Sequence, residues 1–485
     1  MATQRQAARA ALWRTIERAA TQGVSFVVIL LLARLLGPAN YGLVAMAATI
    51  ALLGQTLLGE TFSEALIQAK TLEPAHISSL FWMLFGFGLL TAGIVFLAAD
   101  ELADLFGMAG LAAILRALCP LLILTALQAV PAAIFKRNLD FRTLAAASMS
   151  GTVLGGVAGV GMAFAGYGPW SLVANLLVQN AMVTAAIWRQ SSFRPQFLYS
   201  HRHVRDLWSY GQYTFLLRIA AFASNQGPRI LVGYLFGAAS LGAFALALRI
   251  VENMFQLLTL PAANVMVPVV AKIRDEPKRL ERAILGATAL STAIAVPAFV
   301  GFAFIAPTAV PLLFGSHWSQ SAAIVQILSL VGVSNSIGQI NRSIIAGLGR
   351  PAINLAMNTT AAVANIALVL VTAPWGLTVT AIAFVIRSYV VLPTLPLVIA
   401  RLTGIRLITQ IGVYGPIILA AAVMAVSVEM LIRGIGGVLS PLALTAAATG
   451  FGAAMYILAL YLFARPALRL GISVLADLRP SQNPA

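Results

Sequence analysis

Residues 31–50 read LLARLLGPANYGLVAMAATI, and residues 231–250 read LVGYLFGAASLGAFALALRI. Eight positions of the first stretch are identical 200 residues later: Leu31, Leu35, Gly37, Ala39, Gly42, Ala45, Ala47 and Ile50. In both copies two apolar runs flank a glycine, which predicts two helices joined by a tight turn. Chance matching of small residues is the alternative. Because Pro169-Trp170 and Pro374-Trp375 also follow equivalent helices, the sequence favours an internal repeat.

The composition places this repeat in a membrane. The 485 residues are 60% hydrophobic and only 9% charged, and the mean hydropathy is +0.91. A soluble surface needs about a quarter of its residues charged. Apolar runs of 20 or more residues, each able to cross about 30 Å of hydrocarbon, recur from end to end. The sequence therefore predicts an all-α integral membrane protein.

We predict about 14 transmembrane helices, separated by glycine, proline and short polar clusters. Their expected ranges are 12–36, 41–69, 77–99, 108–134, 143–166, 169–189, 208–236, 241–271, 283–306, 320–347, 352–373, 376–400, 409–431 and 440–464. The repeat divides them into an N-terminal lobe of six helices at 1–200, a C-terminal lobe of six at 201–405, and a further helix pair with a cytoplasmic tail at 406–485. Because six is even, the two lobes share one orientation, as parallel repeats do.

The basic residues orient the helices. The formal net charge is +16, with 31 Lys and Arg against 15 Asp and Glu. With the N-terminus in the cytoplasm, only Arg433 falls in an outer loop, whereas the other basic residues outside the spans fall on the inner side. This bias follows the positive-inside rule and places both termini in the cytoplasm. It also explains the basic charge without a nucleic-acid partner.

Seven arginines fall inside predicted spans. They are Arg34, Arg116, Arg218, Arg229, Arg249, Arg342 and Arg387. Arginine at the bilayer centre costs about 3 kcal/mol on insertion scales, so such a residue faces protein or water. The intramembrane acids Glu17, Glu60, Glu64, Glu252 and Glu429 are fewer, which leaves positive charge over. The excess of positive charge predicts a cationic cavity and an anionic cargo. A phosphate-bearing cargo would suit this cavity, because arginine binds phosphate through two parallel hydrogen bonds.

The arginines of the seventh and eighth spans are the main candidates for binding cargo. Arg218 and Arg229 are eleven residues apart, about three helical turns, so they face nearly the same way. Arg249 forms a polar stripe with Glu252 and Gln256, although a local ion pair between Arg249 and Glu252 is an equal alternative.

The remaining intramembrane charges have other candidate roles. Glu60 and Glu64, at i,i+4 spacing, and Glu252 are candidates for binding H⁺ or Na⁺ or for a structural role. Arg34 is kept as a cavity candidate, although Arg34 and Arg342 lie near span ends and can snorkel to the headgroups. The facing of Arg116 and Arg387 is left open.

Motifs for catalysis are absent from the sequence. It contains no P-loop, HExxH or CxxC pattern. We expect no catalytic residue, no metal site and no cofactor, and we do not expect an enzyme. A membrane glycan polymerase would need a sizeable outer loop with catalytic residues, and the predicted outer loops are short.

Three motifs resemble a known family. They are ARLLGPANYGLVAMA at 33–47, PAAIFKRNLDFRTLA at 131–145 and AGYGPWSLVANLLVQ at 165–179. They resemble the Wzx-type polysaccharide transporter branch, the oligosaccharide flippases, of the multidrug/oligosaccharidyl-lipid/polysaccharide exporter superfamily. The resemblance covers roughly residues 10–405, and the last two spans suit the fourteen-helix members.

The resemblance implies a V-shaped transporter with alternating access. Its cargo would be an undecaprenyl-pyrophosphate-linked oligosaccharide, flipped to the outer leaflet of a bacterial inner membrane for exopolysaccharide, capsule or O-antigen assembly. In similar proteins helices 1, 2, 7 and 8 line the cavity, which makes Arg34, Glu60, Glu64, Arg218, Arg229, Arg249 and Glu252 cavity candidates. Implied partners are membrane lipids, H⁺ or Na⁺, and the polymerase machinery. A cation-coupled drug exporter and a peptidoglycan-precursor flippase of the same superfamily are the alternatives.

Overall fold

Helices form the regular structure of the chain. A computed structural model describes residues 2–59, 74–197 and 201–477, and no β-strand occurs within those ranges. Short 3-10 turns at Ser316–Trp318 and Ala373–Trp375 join some of the helices. The helices are α1 (Ala2–Gly59), α2 (Pro74–Leu97), α3 (Ala99–Phe106), α4 (Leu111–Arg137), α5 (Phe141–Phe164), α6 (Trp170–Gln190), α7 (His201–Leu258), α8 (Leu260–Ile273), α9 (Pro277–Phe314), α10 (Ser319–Gly347), α11 (Pro351–Thr372), α12 (Leu377–Val391), α13 (Thr394–Thr403), α14 (Leu407–Ile435), α15 (Pro441–Phe463) and α16 (Arg465–Asp477).

The described chain contains 12 helical stretches long and apolar enough to cross a membrane. Two of them, in α1 and α7, each consist of two helices joined at a kink. Separating the halves gives fourteen apolar segments, which is the predicted number. The prediction of an all-α integral membrane fold is therefore confirmed, and the chain is a multi-pass membrane protein.

The internal repeat is visible in the backbone of α1 and α7. The kink in α1 lies at Gly37, with φ 71° and ψ 170°. The kink in α7 lies 200 residues later at Gly237, with φ 78° and ψ −179°. This region of φ/ψ space is open essentially only to glycine, because a Cβ atom would clash with the backbone. The turn predicted in each copy is therefore a kink at one glycine.

Five residues beyond each kink, the two copies of the repeat meet. A Cβ atom added to Gly42 would overlap the carbonyl oxygen of Ala238, and one added to Gly242 would overlap the carbonyl oxygen of Pro38. The two contacts are equivalent under the repeat, because Gly242 corresponds to Gly42 and Ala238 corresponds to Pro38. Only a residue without a side chain lets the two backbones approach this closely. The repeated glycines therefore set the distance between α1 and α7.

Helices α5 and α6 also pack through glycine. A Cβ atom on Gly155 would lie 2.7 Å from the carbonyl oxygen of Asn175 and 2.7 Å from Cβ of Gln179. On Gly159, one turn later, it would lie 2.9 Å from the carbonyl oxygen of Ser171. Small residues at four-residue steps let membrane helices approach closely, and this spacing does so here.

The connection between α4 and α5 is a capped turn. Leu139 has a positive φ of 58°, which is uncommon for a residue with a side chain. The next residue, Asp140, caps α5 by accepting hydrogen bonds from Thr143 N at 3.2 Å and from Thr143 Oγ1 at 2.8 Å. The quoted stretch 131–145 therefore marks a turn between two membrane helices and contributes no binding group that the structure identifies.

The chain divides into two compact units. The first comprises residues 1–245 and 361–369, and the second comprises 246–360 and 370–485. In the first unit, Phe81 packs edge-on against Trp188 beside the buried side chain of Leu84. In the second, Phe299 and Ile337 belong to one apolar cluster. The lobes predicted at 1–200 and 201–405, with the additional segment 406–485, follow the repeat and stay a prediction.

The contact between the repeated glycines predicts that a small substitution is destabilising at Gly42 and Gly242 but not at a glycine without close neighbours. Gly42→Ala and Gly242→Ala should each lower the melting temperature, because the methyl group meets a main-chain oxygen and overpacking costs about 1–3 kcal/mol. Gly23→Ala is the matched control, since nothing lies within 4 Å of its added Cβ atom. Thermal unfolding of the purified protein in detergent measures the effect, and equal melting temperatures for all three variants would contradict the contact.

A second substitution pair tests the packing of α5 on α6. Gly155→Leu should reduce the yield of folded protein, because the side chain would enter the space of Asn175 and Gln179. Gly161→Leu lies on the same helix with open space around its added Cβ atom, and it should fold normally. Size-exclusion profiles in detergent distinguish the two variants. Normal folding of the Gly155 variant would show that the helices do not need this close approach.

Candidate functional site

Arg218 and Arg229 lie in the first half of α7. Both side chains are partly exposed, and both belong to the first unit. The eleven-residue spacing puts them on one face of the helix, about 16 Å apart along its axis. Nη1 of Arg229 donates a hydrogen bond to Oε1 of Gln226 at 2.9 Å. This hydrogen bond to a neutral amide orients the guanidinium.

Arg34 lies in α1 shortly before the kink, and its side chain is exposed. At the equivalent position of the repeat, Tyr234 is also exposed, to 50%. Both copies therefore present this position at the surface of the first unit. Only one copy carries a charge there, so the packing of the repeat does not require the arginine.

Arg249 and Glu252 lie in the second half of α7 and belong to the second unit. Both are partly exposed, whereas their neighbours Ile250, Val251 and Asn253 are buried. The two charged residues therefore occupy the accessible side of this part of the helix. The ion pair between them stays a prediction, as does a joint site formed by these residues with Arg34, Arg218 and Arg229.

Glu60 and Glu64 lie outside the described residues, in the gap between residues 59 and 74. Their role as coupling or structural carboxylates therefore stays a prediction. Among the residues that the structure does describe, no group of three or more His, Cys, Asp or Glu side chains is placed to hold a metal ion.

Arg116 is neutralised locally. Its Nη2 forms an ion pair with Oδ2 of Asp100 on the short helix α3. The guanidinium lies 5.4 Å from the ring centre of Phe96, and its Nε donates to the Phe96 carbonyl oxygen at 3.4 Å. Both charged side chains are accessible, at 36% for Arg116 and 64% for Asp100. Arg116 is therefore not available to bind an anionic cargo.

Arg387 lies on α12 and is partly exposed.

The direction of Arg342 differs from the sequence-based expectation. Its Nε and Nη2 donate to Oε1 of Gln339 at 3.2 and 3.1 Å. A Cβ atom added to Gly338 would lie 3.1 Å from Nη1 of Arg342. The guanidinium therefore lies over the preceding turn of α10. It points away from the nearby helix end, as long side chains on helices usually do. The guanidinium therefore does not extend past this helix end, which is the direction that snorkelling to the headgroups there would require.

Arg342 belongs to a polar face of α10 that counting charges did not find. Asn335 is exposed, and Gln339 and Arg342 are partly exposed, at four- and three-residue spacing. We call Asn335, Gln339 and Arg342 the α10 polar stripe. The signal was present in the sequence as amides at helical spacing inside an apolar span. Neutral amides were not counted as intramembrane polar groups, so the stripe was missed.

Several known proteins are similar to this chain in sequence or in fold. The polysaccharide biosynthesis protein family matches residues 31–323. The succinoglycan biosynthesis transport protein ExoT of Rhizobium meliloti (strain 1021) is 28% identical over 318 residues, which are 66% of this chain and 64% of that protein. The lipopolysaccharide biosynthesis protein WzxC of Escherichia coli (strain K12) is 23% identical over 350 residues, 71% of each chain. The chain thus aligns with less than two thirds of the length of ExoT.

Two solved structures share the helical arrangement. The lipid II flippase MurJ in an inward closed conformation superposes with a TM-score of 0.77 at 13% identity, covering 94% of this chain and 100% of MurJ. An inward-facing multidrug resistance MATE family transporter of the MOP superfamily gives 0.57 at 14% identity, covering 79% and 96%. At these identities the likeness concerns the fold alone. Because the family matches residues 31–323, which are more than half of the chain, the chain belongs to the polysaccharide biosynthesis protein family.

Proposed function

We propose that this protein is a flippase for an undecaprenyl-pyrophosphate-linked oligosaccharide. It would move the lipid from the inner to the outer leaflet of the bacterial inner membrane, for exopolysaccharide, capsule or O-antigen assembly. The observation that carries the proposal is the pair Arg218 and Arg229, partly exposed on one face of a membrane helix in a chain of this family. Relatives named for succinoglycan transport and lipopolysaccharide biosynthesis support the same class of cargo.

The chemistry of the cargo matches these arginines. A pyrophosphate is anionic and cannot enter hydrocarbon unaided, whereas a guanidinium binds phosphate oxygens through two parallel hydrogen bonds. Keeping arginines in a membrane helix costs about 2.5–3.5 kcal/mol each, so a binding role is a reason to retain them. Arg34 and Arg249 would complete the cationic site, with Glu252 as a structural partner.

Alternating access would move the cargo. In our proposal the lobes at 1–200 and 201–405 form a V and rock about the bound pyrophosphate, while the polyprenyl tail stays in lipid. Both termini are cytoplasmic, and 406–485 adds the last two helices and a tail. An H⁺ or Na⁺ gradient acting through Glu60 and Glu64, or consumption of the product by polymerase machinery, would drive the cycle. The protein acts as a transporter and not as an enzyme.

The alternatives differ in the cargo. A drug exporter of the same superfamily handles amphipathic cations, for which a cavity with excess arginine is unsuitable. A peptidoglycan-precursor flippase shares the physical requirements and differs in the sugar head. A membrane glycan polymerase has less support, because the connections between the described helices are short.

Removing single arginines should stop export. In a strain that depends on this protein for surface polysaccharide, Arg218→Ala, Arg229→Ala and Arg249→Ala should each lower export roughly 10-fold or more. A hydrogen bond to a charged group contributes about 1.5–3 kcal/mol, which corresponds to that loss. Arg229→Lys should keep part of the activity, because it retains the charge and loses the bidentate geometry. Surface polysaccharide per cell is the measurement.

Two arginines serve as matched controls for these variants. Arg116 and Arg433 are exposed and form ion pairs with Asp100 and Glu429, so their alanine variants should export normally. Membrane levels of all variants are compared on immunoblots. Full export by all three variants of Arg218, Arg229 and Arg249 would reject the cationic site.

The coupling hypothesis is tested separately. In proteoliposomes, Glu60→Gln with Glu64→Gln should abolish any dependence of transport on a proton or sodium gradient, because the amide cannot exchange a proton or hold a cation's charge. Transport is measured with and without each imposed gradient. A gradient dependence equal to that of the unmodified protein would reject the role of these carboxylates.

A further inference from the structure

The α10 polar stripe lies in the membrane-spanning part of the second unit. Asn335 is near the middle of the 29-residue helix, and Gln339 and Arg342 follow on the same face over about 10 Å. On the other side of the helix Val333, Ile337 and Ile340 are buried in the unit. In the N-terminal half of the helix, Ala323 is exposed and Ile327 is partly exposed. The three residues of the stripe therefore form one polar patch on the accessible face of α10.

This stripe is unsuited to lipid. Hydrocarbon offers no hydrogen-bond partner to an amide or a guanidinium, so polar side chains in membrane helices face protein, water or a ligand. Asn335, Gln339 and Arg342 are all accessible at the surface of their own unit. The accessible face thus fits contact with something that forms hydrogen bonds.

The stripe has hydrogen-bonding capacity left over. Oε1 of Gln339 accepts twice from Arg342, which holds both side chains in place. Within the described part of the chain, Nε2 of Gln339, Nη1 of Arg342 and the side-chain amide of Asn335 form no hydrogen bond. Gly338 provides the space in which the guanidinium lies, since a Cβ atom there would press against Nη1. Oriented donors without partners are typical of a preorganised binding surface.

A second observation comes from the residues behind the stripe. Asn341 is 3% exposed, and its Nδ2 has no hydrogen-bond partner among the described residues. Asn354 on α11 donates from Nδ2 to the carbonyl oxygen of Arg342 at 2.9 Å, while its buried Oδ1 has no partner within the same described part. Buried amides are nearly always satisfied in native proteins, so two that are not, next to Arg342, call for an explanation. A polar ligand or the water that accompanies it would supply the partners.

We propose that the α10 polar stripe binds the hydroxyl groups of the glycan in the lipid-linked oligosaccharide, an inference that rests on the proposed function. Amide and guanidinium groups are planar and present paired hydrogen-bonding atoms, and the adjacent hydroxyls of a sugar both donate and accept. The stripe has one cation and two neutral amides, so it matches an uncharged polyol better than a pyrophosphate. The residues proposed for the pyrophosphate, Arg218 and Arg229, lie on α7 of the first unit, so recognition of the glycan and of the pyrophosphate is assigned to different residues.

Two lipids separate the two sites experimentally. The full-length protein in lipid nanodiscs is titrated with undecaprenyl pyrophosphate and with the same lipid carrying the oligosaccharide. The unmodified protein should bind the glycan-bearing lipid more tightly. Asn335→Ala and Gln339→Ala should each weaken binding of that lipid about 10-fold and leave binding of undecaprenyl pyrophosphate unchanged. Arg229→Ala should weaken binding of both lipids.

Gln326→Ala is the matched control, because Gln326 lies on the opposite face of α10 and is also partly exposed. Melting temperatures establish that each variant is folded, and the exposed Asn335 provides a variant that should fold in any case. Unchanged binding of the glycan-bearing lipid by folded Asn335 and Gln339 variants would overturn the inference. Equal affinity of the unmodified protein for both lipids would overturn it while leaving the flippase function intact. Binding of neither lipid would reject the proposed function together with the inference.

Discussion

The close approach of two main chains at Gly42 and Gly242 is a constraint on the first unit that no side-chain rearrangement can relieve. Helices α1 and α7 meet there through backbone atoms, five residues after the kinks at Gly37 and Gly237. Close to these glycines in the chain, Met46 on α1 and Phe244 on α7 are both buried. Two positions in each copy of the repeat, one for the kink and one for the crossing, therefore determine how the helices meet.

The two copies of the repeat share their backbone geometry but not their charged residues. The kinks and the crossing occur in both copies of the repeat, whereas Arg34 corresponds to Tyr234 and Arg249 corresponds to Thr49. Thr49 is buried and its hydroxyl donates to the carbonyl oxygen of Ala45, so this copy satisfies its polar group within one helix. A duplicated scaffold in which each of these charges occurs in only one of the two copies is consistent with a binding function added to a fold that does not need it.

The sequence predicted the helices well because their ends carry strong local signals. The span expected at 143–166 is α5 at Phe141–Phe164, since Asp140 caps its start and a glycine turn ends it. Side-chain direction was less predictable. Arg342 turns back along its helix because Gly338 leaves room, and Arg116 is neutralised by Asp100 on a short helix that hydropathy had assigned to a loop. These outcomes depend on three-dimensional neighbours that spacing alone does not identify. The α10 polar stripe, by contrast, was readable from its amides at helical spacing.

The contact at Gly42 and Gly242 also affects how sequence variation in such proteins is interpreted. The atom opposing each glycine is a main-chain oxygen, which every amino acid carries. No exchange of a neighbouring side chain can create room for a larger residue, so compensating pairs of substitutions are not available at these sites. Ranking positions by how little they vary would thus place both glycines beside ligand-contacting residues, for reasons of geometry alone. For the same reason, covariation between side chains would not reveal this contact.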